Sequence, residues 1–172
     1  MTDLNSGHRI TAWIERLQAI VTQLGSAIAP IASRIALGLP FFRSGLTRWD
    51  GFLSLSPGTI FLFEDQFQLH IFGHLYGFPA PDKIAFLVGS AELLFPLMLF
   101  VGLGTRFAAF GLLLMTATIQ LVFPDAWANF HLYWASLALA VMALGSGPIS
   151  LDWGIVWFCR RQRPSKLGAG IG

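Results

Sequence analysis

Glu92 is the residue most able to do chemistry in this chain. It is the single charge in the apolar run Ile84–Leu103. That run is about 20 residues long, enough to cross the hydrocarbon core of a bilayer. A carboxylate at that depth is costly unless it is paired or neutralised, so it marks a functional site by default. Pro96 lies four residues further on. Its ring removes the donor that would satisfy the carbonyl of Glu92. An acid and a free carbonyl are therefore expected at one point inside the membrane.

Arg34 and Arg43 are the cations expected to serve Glu92. Both lie in the first apolar span, antiparallel to the span of Glu92. At about 1.5 Å rise per residue, each Cα falls within roughly 10 Å in depth of Glu92. Gln120, near the end of the third span, is expected to bond across helices and help receive Arg43. Glu92, Arg34, Arg43 and Gln120 thus form the candidate buried polar centre. Two readings stand. Either the paired acid moves protons or holds a polar ligand such as a quinone headgroup, or the ion pair locks the first two helices together. Snorkelling to an interface also accounts for Arg43 and, in part, Arg34.

His70 and His74 are four residues apart, which on a helix puts both imidazoles on one face. His131 begins the fourth span on the same side. The three are a candidate copper or zinc site, although no further ligand is fixed by spacing. Interfacial histidines without a metal are the alternative reading. The lone Cys159 excludes an intrachain disulfide, a CxxC motif and a cysteine-rich metal site. Ser136, Ala140, Ala143 and Gly147 place small residues on one stripe of the last span, suited to close helix packing. No nucleotide fingerprint, phosphate loop or catalytic triad is present.

The elements that position these groups follow from composition and periodicity. The 172 residues are 55% hydrophobic and only 12% charged, about half the charge of an ordinary soluble domain. The pattern predicts an all-α membrane protein, a four-transmembrane-helix bundle with an amphipathic N-terminal helix and an outer loop helix. The spans are expected at 26–46, 84–103, 107–123 and 132–149, within a membrane domain of 26–152. The last span is short and would gain length through His131 and Gly145–Gly147. Residues 1–25 read as an amphipathic surface helix, with Trp13, Leu17, Ile20, Val21 and Leu24 on one face. A continuous long first helix is the competing reading. No cleaved leader pattern is expected in this segment. In the outer loop 47–83, Ile60, Phe63, Phe67, Ile71 and Leu75 share a helical face and predict a short capping helix. Residues 153–172 read as a basic tail.

Arginine and lysine placement sets orientation. Arg9, Arg16, Arg106, Arg160, Arg161, Arg163 and Lys166 fall on one side of a four-span arrangement. The positive-inside rule makes that side cytoplasmic, with both termini there. The scattered basic residues give no nucleic-acid signature, and the partners expected are the lipid bilayer and other membrane or periplasmic subunits.

The motifs are also familiar as a set. Arg34-Ile-Ala-Leu-Gly38 with Phe42 and Ser44-Gly45 resembles the first helix of the DoxX-like family. Gly89-Ser-Ala-Glu92-Leu resembles its second-helix motif, and Gly102-Leu-Gly-Thr105-Arg106-Phe-Ala-Ala its turn into helix three. The run Phe123-Pro-Asp-Ala-Trp127 to His131 resembles an outer loop of some small members. With Thr59–Glu64, the Pro-Asp-Ala-Trp loop is similar to members found with copper-binding peptide systems. The resemblance covers roughly Arg34–Asp152. It implies a compact bundle in the bacterial inner membrane, similar to the membrane subunit of thiosulfate:quinone oxidoreductases, with Glu92 and Arg34 at family positions. Other members accompany oxidative-stress, sulfur or metal-handling systems. The expected role is an accessory subunit, with electrons supplied by a partner, rather than an enzyme on its own. Metal handling through the outer histidines and a ligand-free scaffold are the alternatives.

Overall fold

The computed structural model describes residues 3–147 and 149–161, with side chains from Thr11 onward. Four helical stretches are long and apolar enough to cross a membrane: Thr11–Leu46, Pro81–Val101, Thr105–Val122 and Pro124–Leu144. They belong to α1 (Asp3–Leu46), α3 (Pro81–Val101), α4 (Thr105–Val122) and α5 (Leu132–Leu144). Helix α1 packs on α3 and α5, and α4 closes the ring by packing on the same two. The fold is an all-α membrane bundle, and its core lies in one half of its length. Leu37 and Phe41 of α1 meet Leu99 of α3, Leu112 of α4 and Val141 of α5 there.

The seam between α1 and α3 is set by glycine. A Cβ at Gly45 would come within 3.0 Å of the backbone and Cβ of Glu92, and one at Gly38 would run into Pro96 and Phe100. Small residues are what let membrane helices approach this closely, because lipid gives no hydrophobic drive for association. The stripe Arg34, Gly38, Phe41, Gly45 and Arg48 repeats at alternating spacings of four and three, which keeps one face of α1 on α3.

Helix α1 is continuous. From Asp3 onward the expected surface segment 1–25 runs straight into the first span, so the competing reading of one long helix describes the structure. Neither Gly25 nor the internal Pro30 and Pro40 ends it. Its 44 residues reach about 66 Å, roughly twice the hydrocarbon thickness. Residues 11–28 are exposed and extend beyond the bundle. The fourth span also differs from expectation. Gly145, at φ +74, stops α5 at Leu144. The missing length is gained upstream, through a 3₁₀ turn Pro124–Ala126 and a π-helical turn Trp127–His131. The small-residue stripe turns outward at Ser136 and Ala143, both exposed. Packing inside the bundle uses Ala138 and Val141 instead.

Residues 47–80 form a crown over the hollow end of the bundle. A first hairpin pairs β1 (Trp49–Gly51) with β2 (Ser54–Leu55). Ser56 then caps the short α2 (Pro57–Phe61), which continues as a π-helical turn, Leu62–Gln66. The expected outer helix ends there. Residues 68–77 are a second hairpin, β3 (Gln68–Ile71) against β4 (His74–Gly77). Phe72 and Gly73 both take positive φ at its tip, the conformation a two-residue hairpin turn needs.

The opposite end is held by a clamp. Asp152 opens α6 (Leu151–Arg161), which replaces the first part of the expected tail; the rest of that tail lies outside the described residues. The Asp152 carboxylate accepts from the backbone N–H groups of Gly104 (2.8 Å) and Thr105 (3.1 Å), and its own N–H donates to Gly102 (3.0 Å). An acid at a helix start satisfies donors that otherwise lack partners. Asp152→Ala is expected to destabilise the bundle by about 1–2 kcal/mol. Thermal unfolding in detergent should show a lower midpoint, and an unchanged midpoint would mean the clamp is idle.

Candidate functional site

Glu92 sits near the middle of α3, about 15 Å from either end, and is 2% exposed. Its partner is Arg48, two residues beyond the end of α1. Arg48 Nε donates to Oε2 at 3.0 Å and Nη2 donates to Oε1 at 3.2 Å. Ser44 Oγ donates to Oε1 at 3.1 Å. This forked geometry is the strongest form of a carboxylate–guanidinium pair. Arg48 is held from above as well. Its guanidinium carbon lies 5.5 Å from the ring centre of Phe63 and 5.9 Å from that of Phe67, within the range of cation–π attraction. Its backbone carbonyl accepts from Ser56 N at 2.9 Å and Thr59 Oγ1 at 3.2 Å. Gly89 gives the Arg48 side chain room to cross α3, since a Cβ there would sit 3.3 Å from Arg48 Cβ.

Neither arginine expected to serve Glu92 does so. Arg34 is buried at the far end of the bundle. There it donates from Nε to Pro30 O at 3.2 Å and from Nη2 to Ile149 O at 2.9 Å. It packs against Gly102, ten residues along α3 from Glu92. Arg43 is exposed. Equal depth placed both near Glu92, but depth ignores rotation about the helix. Arg43 lies off the buried stripe of α1. Arg34 lies on it, at a register that opposes Gly102. The residue that meets Glu92 is the last of the same stripe, and continuing the pattern one step past the span would have found Arg48.

A cavity of about 370 Å³ opens beside the pair, between the spans and beneath the crown. Its walls are mostly apolar and carry several large rings, with Phe63, Phe67 and Phe78 from the crown and Phe130 and Trp134 from the last span. Glu92, Arg48 and Ser44 form one polar patch of its lining, and His131 forms another. Gln120 does not receive Arg43 as expected. Its Oε1 lies 2.6 Å from His131 Nδ1, and its Nε2 donates to Pro124 O at 2.9 Å.

The family model for DoxX matches residues 29–125, more than half of the chain. The chain belongs to the DoxX family. No curated protein and no solved structure matches it. The DoxX match takes in Arg34, Arg48, the crown and Glu92, and it stops short of His131 and α5.

The three histidines do not come together in this DoxX protein. His70 pairs with Leu75 across the hairpin and His74 with Ile71. Side chains on a strand alternate faces, so His70 and His74 point to opposite sides. His70 Nδ1 lies 3.2 Å from Leu121 O, His74 packs on Tyr76, and His131 is buried in the bundle. Among the described residues no cluster of three or more His, Cys, Asp or Glu is placed to hold a metal. The i, i+4 inference failed because the segment is a hairpin.

Arg48→Met should be severe, because it strands a buried carboxylate. A loss of about 3–5 kcal/mol is expected, seen as a fall in thermal midpoint in detergent. Adding Glu92→Met should restore most of it, while Arg43→Met alone should stay within about 0.5 kcal/mol. Equal effects of Arg48→Met and Arg43→Met would rule out the pair as the lock.

Proposed function

We propose that this DoxX protein holds the headgroup of a lipid-soluble quinone in the cavity beside Arg48 and Glu92. It would do so as an accessory subunit of a membrane redox or stress-protection assembly in the bacterial inner membrane. The observation that carries this is the contact between an apolar cavity of about 370 Å³, with several aromatic rings in its wall, and a buried, forked ion pair. Ligand sites are mostly apolar hollows with a few well-placed polar groups, and this volume is within their usual range. A flat ring can pack among the phenylalanines. Arg48 has donors left for a ring oxygen, because its Nη1 has no acceptor among the described residues. Glu92 fixes the guanidinium and keeps the net charge of the pair near zero inside the membrane. Electrons would come from a partner subunit.

The orientation we propose puts the crown on the periplasmic side and both termini in the cytoplasm. It rests on Arg106 and on Arg160 and Arg161 of α6, which lie at the clamp end.

A second reading has an observation of its own. Both oxygens of Glu92 are already satisfied within the chain. A ligand-free scaffold, in which the pair only locks the crown to α3, is consistent with that. Quinone content separates the two. Protein purified from its native membrane in mild detergent is expected to carry about one quinone per chain, extractable in organic solvent. Val88 lines the cavity one turn from Glu92 and takes no part in the ion pair. Val88→Trp should fill the cavity and lose the quinone while the thermal midpoint stays close to that of the parent. A parent protein with no quinone would favour the scaffold.

A further inference from the structure

The cavity has a second polar pole that the ion pair does not explain. His131 is 2% exposed, and its ring nitrogens are not equivalent. Gln120 Nε2 donates to Pro124 O at 2.9 Å, so the Gln120 amide must turn Oε1 toward His131. An amide oxygen only accepts. His131 Nδ1 is therefore the protonated nitrogen of the 2.6 Å bond. In the neutral ring this leaves Nε2 with a lone pair and no hydrogen, and Nε2 has no partner among the described residues. Nδ1 is occupied, so Nε2 is the only ring nitrogen open to a ligand.

The local backbone supports a placed residue. His131 ends the π-helical turn Trp127–His131, and the crown's π-helical turn, Leu62–Gln66, contributes Phe63 to the same cavity. Single π-helical turns are rare and are found frequently at functional sites. Trp134 packs on the imidazole with ring centres 5.5 Å apart, which limits its rotation.

The two poles ask for different things. Arg48 can only donate. His131 Nε2, in the tautomer that Gln120 imposes, can only accept. A quinone ring has acceptors at both ends. In a quinol both carbonyls have become hydroxyls, so one can donate while the other accepts. Resting on the quinone reading of this cavity, we infer that the site discriminates redox forms. It holds the reduced, quinol form in preference to the oxidised one, with a ring hydroxyl donating to His131 Nε2. Gln120 is the positioning residue that sets this polarity by fixing the tautomer.

The test is binding of decyl-ubiquinol and decyl-ubiquinone to the purified full chain, each followed by the change in intrinsic tryptophan fluorescence. The parent is expected to bind the reduced form about tenfold more tightly, the worth of one net hydrogen bond. His131→Leu should bring the two affinities together. Gln120→Glu provides a readout that a merely structural role would not move. A carboxylate on Nδ1 favours the imidazolium, which makes Nε2 a donor and swings the preference toward the oxidised form. Equal affinities in the parent, or a preference that survives His131→Leu, would overturn the inference and leave quinone binding intact. If neither form binds the parent, the quinone reading falls and takes this inference with it.

Discussion

A bilayer cannot hydrate a carboxylate, and the demand of Glu92 for a partner organises the crown half of this molecule. The demand is met by Arg48, which lies outside the first span and must reach back to the middle of α3. Two glycines permit it. Gly45 lets α1 sit on the backbone of Glu92, and Gly89 lets the arginine pass. The crown then builds on the backbone of Arg48 through Ser56 and Thr59. A single ion pair thus fixes the register of two helices and the seat of the long loop between them.

The bundle is divided along its length. One half is packed with Leu37, Phe41, Leu99, Leu112 and Val141 and ends in the Asp152 clamp. The other half gives up packing for a hollow lined by large rings. Close packing is worth most where lipid offers no hydrophobic drive, so a hollow here runs against the stability of the fold. Residues that break local rules in this way tend to gather at functional sites. The hollow is also where the buried Glu92 and His131 come to one surface.

Much of the architecture was legible in sequence. The apolar runs around Glu92, Gly111 and Val141 announced their spans, because a helix needs about twenty apolar residues to cross a bilayer and seldom carries so many in a row elsewhere. Glu92 announced itself by being the one charge in its run. Its partner was missed because depth alone was compared, whereas a helix also has a face. The crown was misread for a related reason. Gln68–Gly77 carries apolar residues that fit a helical face and a hairpin alike. What decides between them is the Phe72-Gly73 pair at positive φ, a turn signal weak in sequence because only its second residue is glycine. Gln120 was assigned to Arg43, and His131 to a metal site with His70 and His74. Their pairing depends on the π-helical turn that rotates His131 inward, and no periodicity encodes such a turn.

The double duty of Arg48 has a mechanical consequence. Its side chain is bound to the middle of the bundle, and its carbonyl is the seat of the crown. The crown cannot lift at that edge without breaking the Ser56 and Thr59 bonds or withdrawing a guanidinium from its carboxylate. Motions of that kind belong with local unfolding, on microsecond to second timescales, and not with loop fluctuation in nanoseconds. That edge of the crown therefore moves only as fast as the salt link at mid-membrane depth opens, so an electrostatic bond inside the bundle sets the stiffness of a loop outside it.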